Sequence, residues 1–149
     1  MSTDTGIEIQ CAFSAEGLPS STQLHQWLQL ALQDRAEDAE LTLRIVDEAE
    51  ITALNYRYRG KDGATNVLAF PMSDETTGDA SVMLGDIVIS VDTAADESER
   101  DGEPLAETIL RLLIHGLLHL LDFDHERSHE AAQRMEEEQL RLLNLLREG

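Results

Sequence analysis

Four of the five histidines of this chain fall between residues 112 and 129, in LLIHGLLHLLDFDHERSH. They make two H-x-x-x-H pairs, His115/His119 and His125/His129. Residues four apart on a helix are neighbours, offset by a rise of about 6 Å and a turn of about 40°. His115 and His119 can therefore aim at one ion, and the leucines around them supply a dry wall. His125 would lie about 15 Å beyond His115, facing away, if the helix ran on. It joins the pair only if the helix stops and the chain turns back, and Asp122-Phe123-Asp124 is the place for that turn, since Asp tolerates the left-handed conformation. Three neutral imidazoles with a fourth position open make a catalytic rather than a closed structural zinc site, one able to acidify a bound water. Zinc is the expected ion. Nickel, cobalt or copper would also accept such donors.

Other readings of the same residues are weaker. H-x₃-H-x₅-H is also the spacing of metzincin peptidases, but Gly116 stands where such an enzyme carries its Glu general base, and Asp122 where it carries Gly. A metallopeptidase remains the enzymatic alternative. HERSH, residues 125–129, spells H-E-x-x-H, yet it is flanked by Asp122, Asp124, Arg127 and Ser128 and straddles the expected start of a helix. His129 is expected to face solvent. One histidine on an apolar helix is usually a satisfied core residue; two at this spacing, with a third after a turn, favour a metal.

Charge limits the partners. A net charge of −19 repels phosphate and by itself argues against nucleic-acid binding. The eleven basic residues are uneven, however: Arg57, Arg59 and Lys61, the only lysine, fall within YRYRGK. In extended backbone residues two apart share a face, so this stretch forms either a local positive patch for substrate or scattered salt-bridging arginines on a solvated face. The single cysteine, Cys11, excludes an internal disulfide and is expected in the core. The N-terminal MSTDTGIEIQ lacks the features of a signal peptide, and Leu105–Leu121 is too short and too polar to span a bilayer. A cytoplasmic location is expected.

The elements that must position these groups follow from periodicity and caps. IEIQCAF, ELTLRIV, TNVLAFP and LGDIVISV read as strands. Ser20 or Ser21 can cap a helix with the stripe Leu24, Trp27, Leu28 and Ala31, and His25 and Trp27 on it are expected to be structural. Asp47 caps a second helix, with Glu50 at the capping-box position. A short acidic helix starts at Asp92, Pro104 opens the long histidine helix, and Ser128 caps a last one whose inner side is Ala132, Met135, Leu142, Leu143 and Leu146. MSDETTGDASV is expected to be a polar loop. The order β-α-β-α-β-β-α-α-α indicates an α+β fold. We expect a single domain over residues 1–149, with a small four-stranded mixed sheet, helices packed against it, and the metal site at the end of a long central helix.

HGLLHLLDFDH resembles the signature H-G-x-L-H-L-x-G-Y-D-H of the YbeY family of bacterial endoribonucleases. LNYRYRGKDGATNVLAFP, residues 54–71, and LGDIVIS, residues 84–90, agree with two further blocks in the same order. Asp122 replaces the family's Gly, Phe123 its Tyr, Ala64 its frequent Pro and Ala69 its Ser. The resemblance implies that His115, His119 and His125 bind one zinc ion and that Arg59 is the arginine needed for activity. It implies a single-strand-specific endoribonuclease that forms the 3′ end of small-subunit ribosomal RNA and acts in ribosome quality control. Its partners would be ribosomal RNA, the ribosome or its proteins and a ribosome-associated GTPase, with no DNA and no membrane. A non-catalytic ribosome assembly factor with structural zinc is the non-enzymatic alternative. In a nuclease, an Arg fork at Arg59 suits two phosphate oxygens. Gly116 is then expected to leave room beside the ion, and Asp124 and Glu126 to orient the ligands.

Overall fold

The computed structural model describes residues 6–11, 16–35, 39–60, 65–71, 82–121 and 128–148. The elements are β1 (Ile7–Cys11), α1 (Ser21–Arg35), β2 (Ala39–Val46), α2 (Glu48–Arg59), β3 (Val67–Pro71), β4 (Val82–Ser90), α3 (Val91–Asp101), α4 (Leu105–Leu120) and α5 (His129–Glu148). The strands form one four-stranded sheet in the order β1-β2-β4-β3. β2 runs parallel to both β1 and β4, and β3 is antiparallel to β4. The sheet is mixed, as its sequence pattern requires: α1 and the α2–β3 segment are the crossovers that parallel neighbours need.

Apolar residues on β4 alternate between two cores. Ile87 and Ile89 join the large cluster with Leu41, Leu43 and Ile45 of β2 and the inner stripes of α1, α4 and α5. Val88 turns to the other face and meets Val46, Leu68 and Ile51 of α2. A central strand covered on both faces reads as a continuous apolar run, and DIVIS does.

Caps fix where the helices start. Ser20 Oγ accepts from Gln23 N at 3.1 Å, which makes Ser20 rather than Ser21 the cap of α1. Asp47 Oδ1 accepts from Glu50 N at 2.8 Å. The expected capping box is only half used, because the Glu50 carboxylate takes Arg44 at 2.6 Å instead. A second cap for α2 comes from 44 residues away, where Asp92 Oδ2 accepts from Glu48 N at 2.8 Å. The acidic helix begins one residue before Asp92, with Ser90 Oγ accepting from Thr93 N at 3.2 Å.

α5 returns antiparallel along α4, since Arg147 in its last turn pairs with Glu107 in the first turn of α4. Its inner side is as expected: Met135, Leu142 and Leu146 are buried, and Leu143 packs against them. Trp27 is a core residue. Cys11 is not fully so: at the end of edge strand β1 it is half-buried, packed against the core but reached from outside. Residues 72–81 of the expected polar loop lie outside the described residues, whereas Val82 belongs to β4.

Candidate metal and phosphodiester site

α4 lies on the sheet at Gly116. A Cβ placed there would stand 2.7 Å from Ile87 Cγ2 and 3.3 Å from Val67 Cγ2, closer than side chains tolerate. Only glycine lets the helix backbone settle onto β3 and β4 at this point. Gly116 therefore faces the sheet, and the expectation that it leaves room beside an ion is wrong: it sets the height of the helix, not the width of a pocket.

That seating fixes its neighbours. Ile114, Leu117 and Leu118 are buried on one side of α4, and His115 and His119 emerge half-buried on the other. Their Nε2 atoms are 3.1 Å apart, with ring centroids at 4.6 Å and planes crossing at 72°. Two ring nitrogens this close either share one proton, as donor and acceptor, or share one cation. For metal–nitrogen bonds of about 2.0–2.1 Å the separation fits two donors on one ion. Among the described residues no group of three His, Cys, Asp or Glu side chains converges, so this pair is the nucleus of a site and not the whole of it.

The third expected ligand, His125, lies outside the described residues, with Asp122, Asp124 and Glu126. What the structure does place is the stop before it. α4 ends at Leu120, Leu121 donates back to Leu117 O and Leu118 O, and α5 begins at His129. The described part of α4 thus ends before His125 is reached. Ser128 Oγ accepts from Ala131 N at 3.0 Å, the expected cap, and His129 is the exposed first residue of α5. HERSH thus crosses a helix start.

On the opposite face of the sheet, α2 runs on through Arg59 and ends at Gly60, whose φ of 68° is the left-handed conformation of a helix C-cap. YRYR is helical, not extended. The shared-face argument for Arg57, Arg59 and Lys61 fails for that reason, because helical positions two apart lie about 200° round the axis. Arg57 is exposed; the Arg59 side chain and all of Lys61 lie outside the described residues. The sequence reading took the cations of YRYRGK and passed over its tyrosines, both exposed at the end of α2. The signal was present, since two aromatic residues two apart cannot both face the core from one helix.

Among the described residues one carboxylate, at the start of α4, is perturbed. Hydrogen bonds from Thr108, at 2.7 Å, and from Arg111 hold the Glu103 carboxyl below its usual range. It lies at the far end of α4 from the histidines, where it tethers the helix start.

Comparison with known proteins follows the same lines. Residues 12–147 match the family model described as Endoribonuclease YbeY. The chain belongs to the YbeY endoribonuclease family. An Endoribonuclease YbeY of Xanthomonas axonopodis pv. citri is 41% identical over 128 residues, covering 84% of this chain and 80% of that relative. The protein of the same description from Xanthomonas campestris pv. campestris, strain B100, matches to the same extent. A solution structure from Thermotoga maritima, 25% identical, superposes with a TM-score of 0.65 over 94% of this chain and 88% of its own, so the family fold is shared. No helix among the described residues is long and apolar enough to cross a membrane.

Proposed function

We propose that this protein is a zinc-dependent endoribonuclease that cleaves single-stranded RNA in ribosomal RNA maturation. The observation that carries the reading is the convergence of His115 and His119, 3.1 Å apart at Nε2, in a chain of an endoribonuclease family. His115, His119 and His125 would hold the ion, which supplies Lewis acidity at a phosphate and lowers the pKa of water when bound. The remaining work falls to the chain. The leucine face of α4 holds two imidazoles in fixed orientation, so little ordering is left for the moment of reaction. Arg59 would offer its guanidinium to phosphate oxygens, where charge grows as the phosphodiester is cleaved. Arg57 and Lys61 add phosphate contacts that hold the strand in place. The absence of a Glu after His115, fatal to a peptidase of metzincin type, is in keeping with a substrate that already carries the charge to be stabilised.

The rest of the surface points to where the enzyme works. At a net charge of −19, bare RNA should bind weakly, with a local contribution from Arg57, Arg59 and Lys61. Delivery by a protein partner on the ribosome removes that barrier, and small-subunit ribosomal RNA 3′-end formation, ribosome quality control and contact with a ribosome-associated GTPase belong to the same reading.

Cleavage of a labelled single-stranded oligoribonucleotide, with and without chelator, tests it. Cleavage should be abolished by chelator and restored by zinc. Chelator-resistant cleavage ends the metal assignment, and chelator-sensitive proteolysis with no action on RNA ends the nuclease assignment.

A further inference from the structure

Tyr58 is 60% exposed, yet its ring does not hang loose. It leans on Phe70 of β3 with ring centroids 5.1 Å apart and planes tilted by 55°. The Arg57 guanidinium carbon stands 6.0 Å from the Tyr58 centroid. A large ring left in water is normally a cost. One braced by a second ring, with a guanidinium standing 6.0 Å over it, is a preformed surface that loses little entropy when a flat group settles between ring and cation. Tyr56 is equally exposed, at 63%, but lies on another side of the helix and makes no ring contact among the described residues.

The place of Tyr58 in the fold gives the ring its meaning. It precedes Arg59 in the chain, and its support, Phe70, lies on edge strand β3. The same strand carries Val67, which lies beneath Gly116 beside His115. The end of α2 and the histidine helix thus rest on opposite faces of one five-residue strand. A flexible polyanion passing round that edge has an exposed aromatic ring and a cation on one side of the strand and the imidazole pair on the other.

We propose that Tyr58 is a stacking platform for an unpaired base of the RNA substrate, with Arg57 beside it on the backbone phosphate. This rests on the endoribonuclease reading above and deepens it: it assigns the preference for single strands to a side chain. A duplex keeps its bases stacked on each other, whereas a single strand can turn one out onto Tyr58. Aromatic rings bind bases in this sequence-tolerant way because every base has a π face.

The test compares cleavage of a single-stranded oligoribonucleotide with that of one of the same length whose central riboses carry no bases. Wild-type protein should show a KM about tenfold lower for the base-bearing strand. Tyr58→Ala should abolish that difference, Tyr58→Phe should keep it because the ring remains, and Tyr56→Ala should keep it too. If Tyr58→Ala discriminates between the strands as wild type does, the platform is disproved while the nuclease reading stands. An equal loss in Tyr56→Ala would show a general effect of the helix end and overturn the assignment to Tyr58. A ring that merely covers Phe70 would lower the unfolding temperature in Tyr58→Ala and leave the strand preference intact. If wild-type protein cleaves neither strand, the nuclease reading fails and takes this one with it.

Discussion

The two faces of the sheet do different work. One carries α1, α4 and α5 on a continuous apolar core that includes Leu113, Ile114, Leu117 and Leu118 of the histidine helix, all fully buried. The other carries α2 on a core reduced to Val46, Ile51, Leu68 and Val88, with Leu54 and Phe70 packed against it. The proposed metal donors need fixed mutual geometry, and the thick face holds His115 and His119 on a buried helix. Contacts with a mobile polymer need reach and access, and the thin face ends in a helix turn that projects Tyr56, Arg57 and Tyr58 into solvent. The division teaches that rigidity and accessibility come from different sides of one sheet and meet only at its outer strand.

Breaking the thick face at the donors should have the largest effect. His115→Ala or His119→Ala should lose bound zinc, read by elemental analysis, and lower RNA cleavage by at least about 100-fold. His129→Ala should keep both metal and activity. Equal zinc loss in His129→Ala would move the site to HERSH. Next comes the thin face: Arg59→Ala should retain metal and unfolding temperature while cleavage falls by about 10²–10³, the cost of removing one charged contact to a developing oxyanion. Unchanged cleavage would take Arg59 out of the mechanism.

A finer cut separates seating from chemistry. Gly116→Ala forces a methyl into Ile87 and Val67, and overpacking of about 1–3 kcal/mol outweighs the gain in helix propensity of about 1 kcal/mol. The unfolding temperature should fall by a few degrees, with metal affinity reduced as the helix lifts. The smallest effect is electrostatic. Because the Glu103 carboxyl titrates below its ordinary value in the fold, its hydrogen bonds contribute stability at neutral pH. That contribution is complete above the unfolded-state pKa of about 4.3 and is lost as pH falls through the lower folded-state value. Glu103→Gln should therefore cost up to about 1 kcal/mol in urea at pH 7 and show a shallower loss on acidification than wild type.

Local signals carried most of the fold. Ser20, Asp47 and Ser128 announce three helix starts through short-range hydrogen bonds, and the period of two in ELTLRIV announces a strand. The histidine pair was legible because its spacing is a property of one helix. Groups whose role depends on a distant partner were not. Nothing near Glu50 says that Arg44 will claim its carboxylate, and nothing near Glu48 says that Asp92 will cap it. Gly116 looks like open space in the sequence, and only the packed sheet shows that Ile87 fills it. The extended reading of YRYRGK failed because the stop signal, Gly60 in a left-handed turn, comes after the arginines and not before them.

The outer rim of β3 also governs how the molecules behave in company. An unpaired strand edge invites a strand of another chain, and long flat ones seed aggregates. This rim is five residues long and finishes at Pro71, which has no N–H to offer such a visitor. A surplus of nineteen negative charges adds a mutual repulsion between copies that works in the same direction.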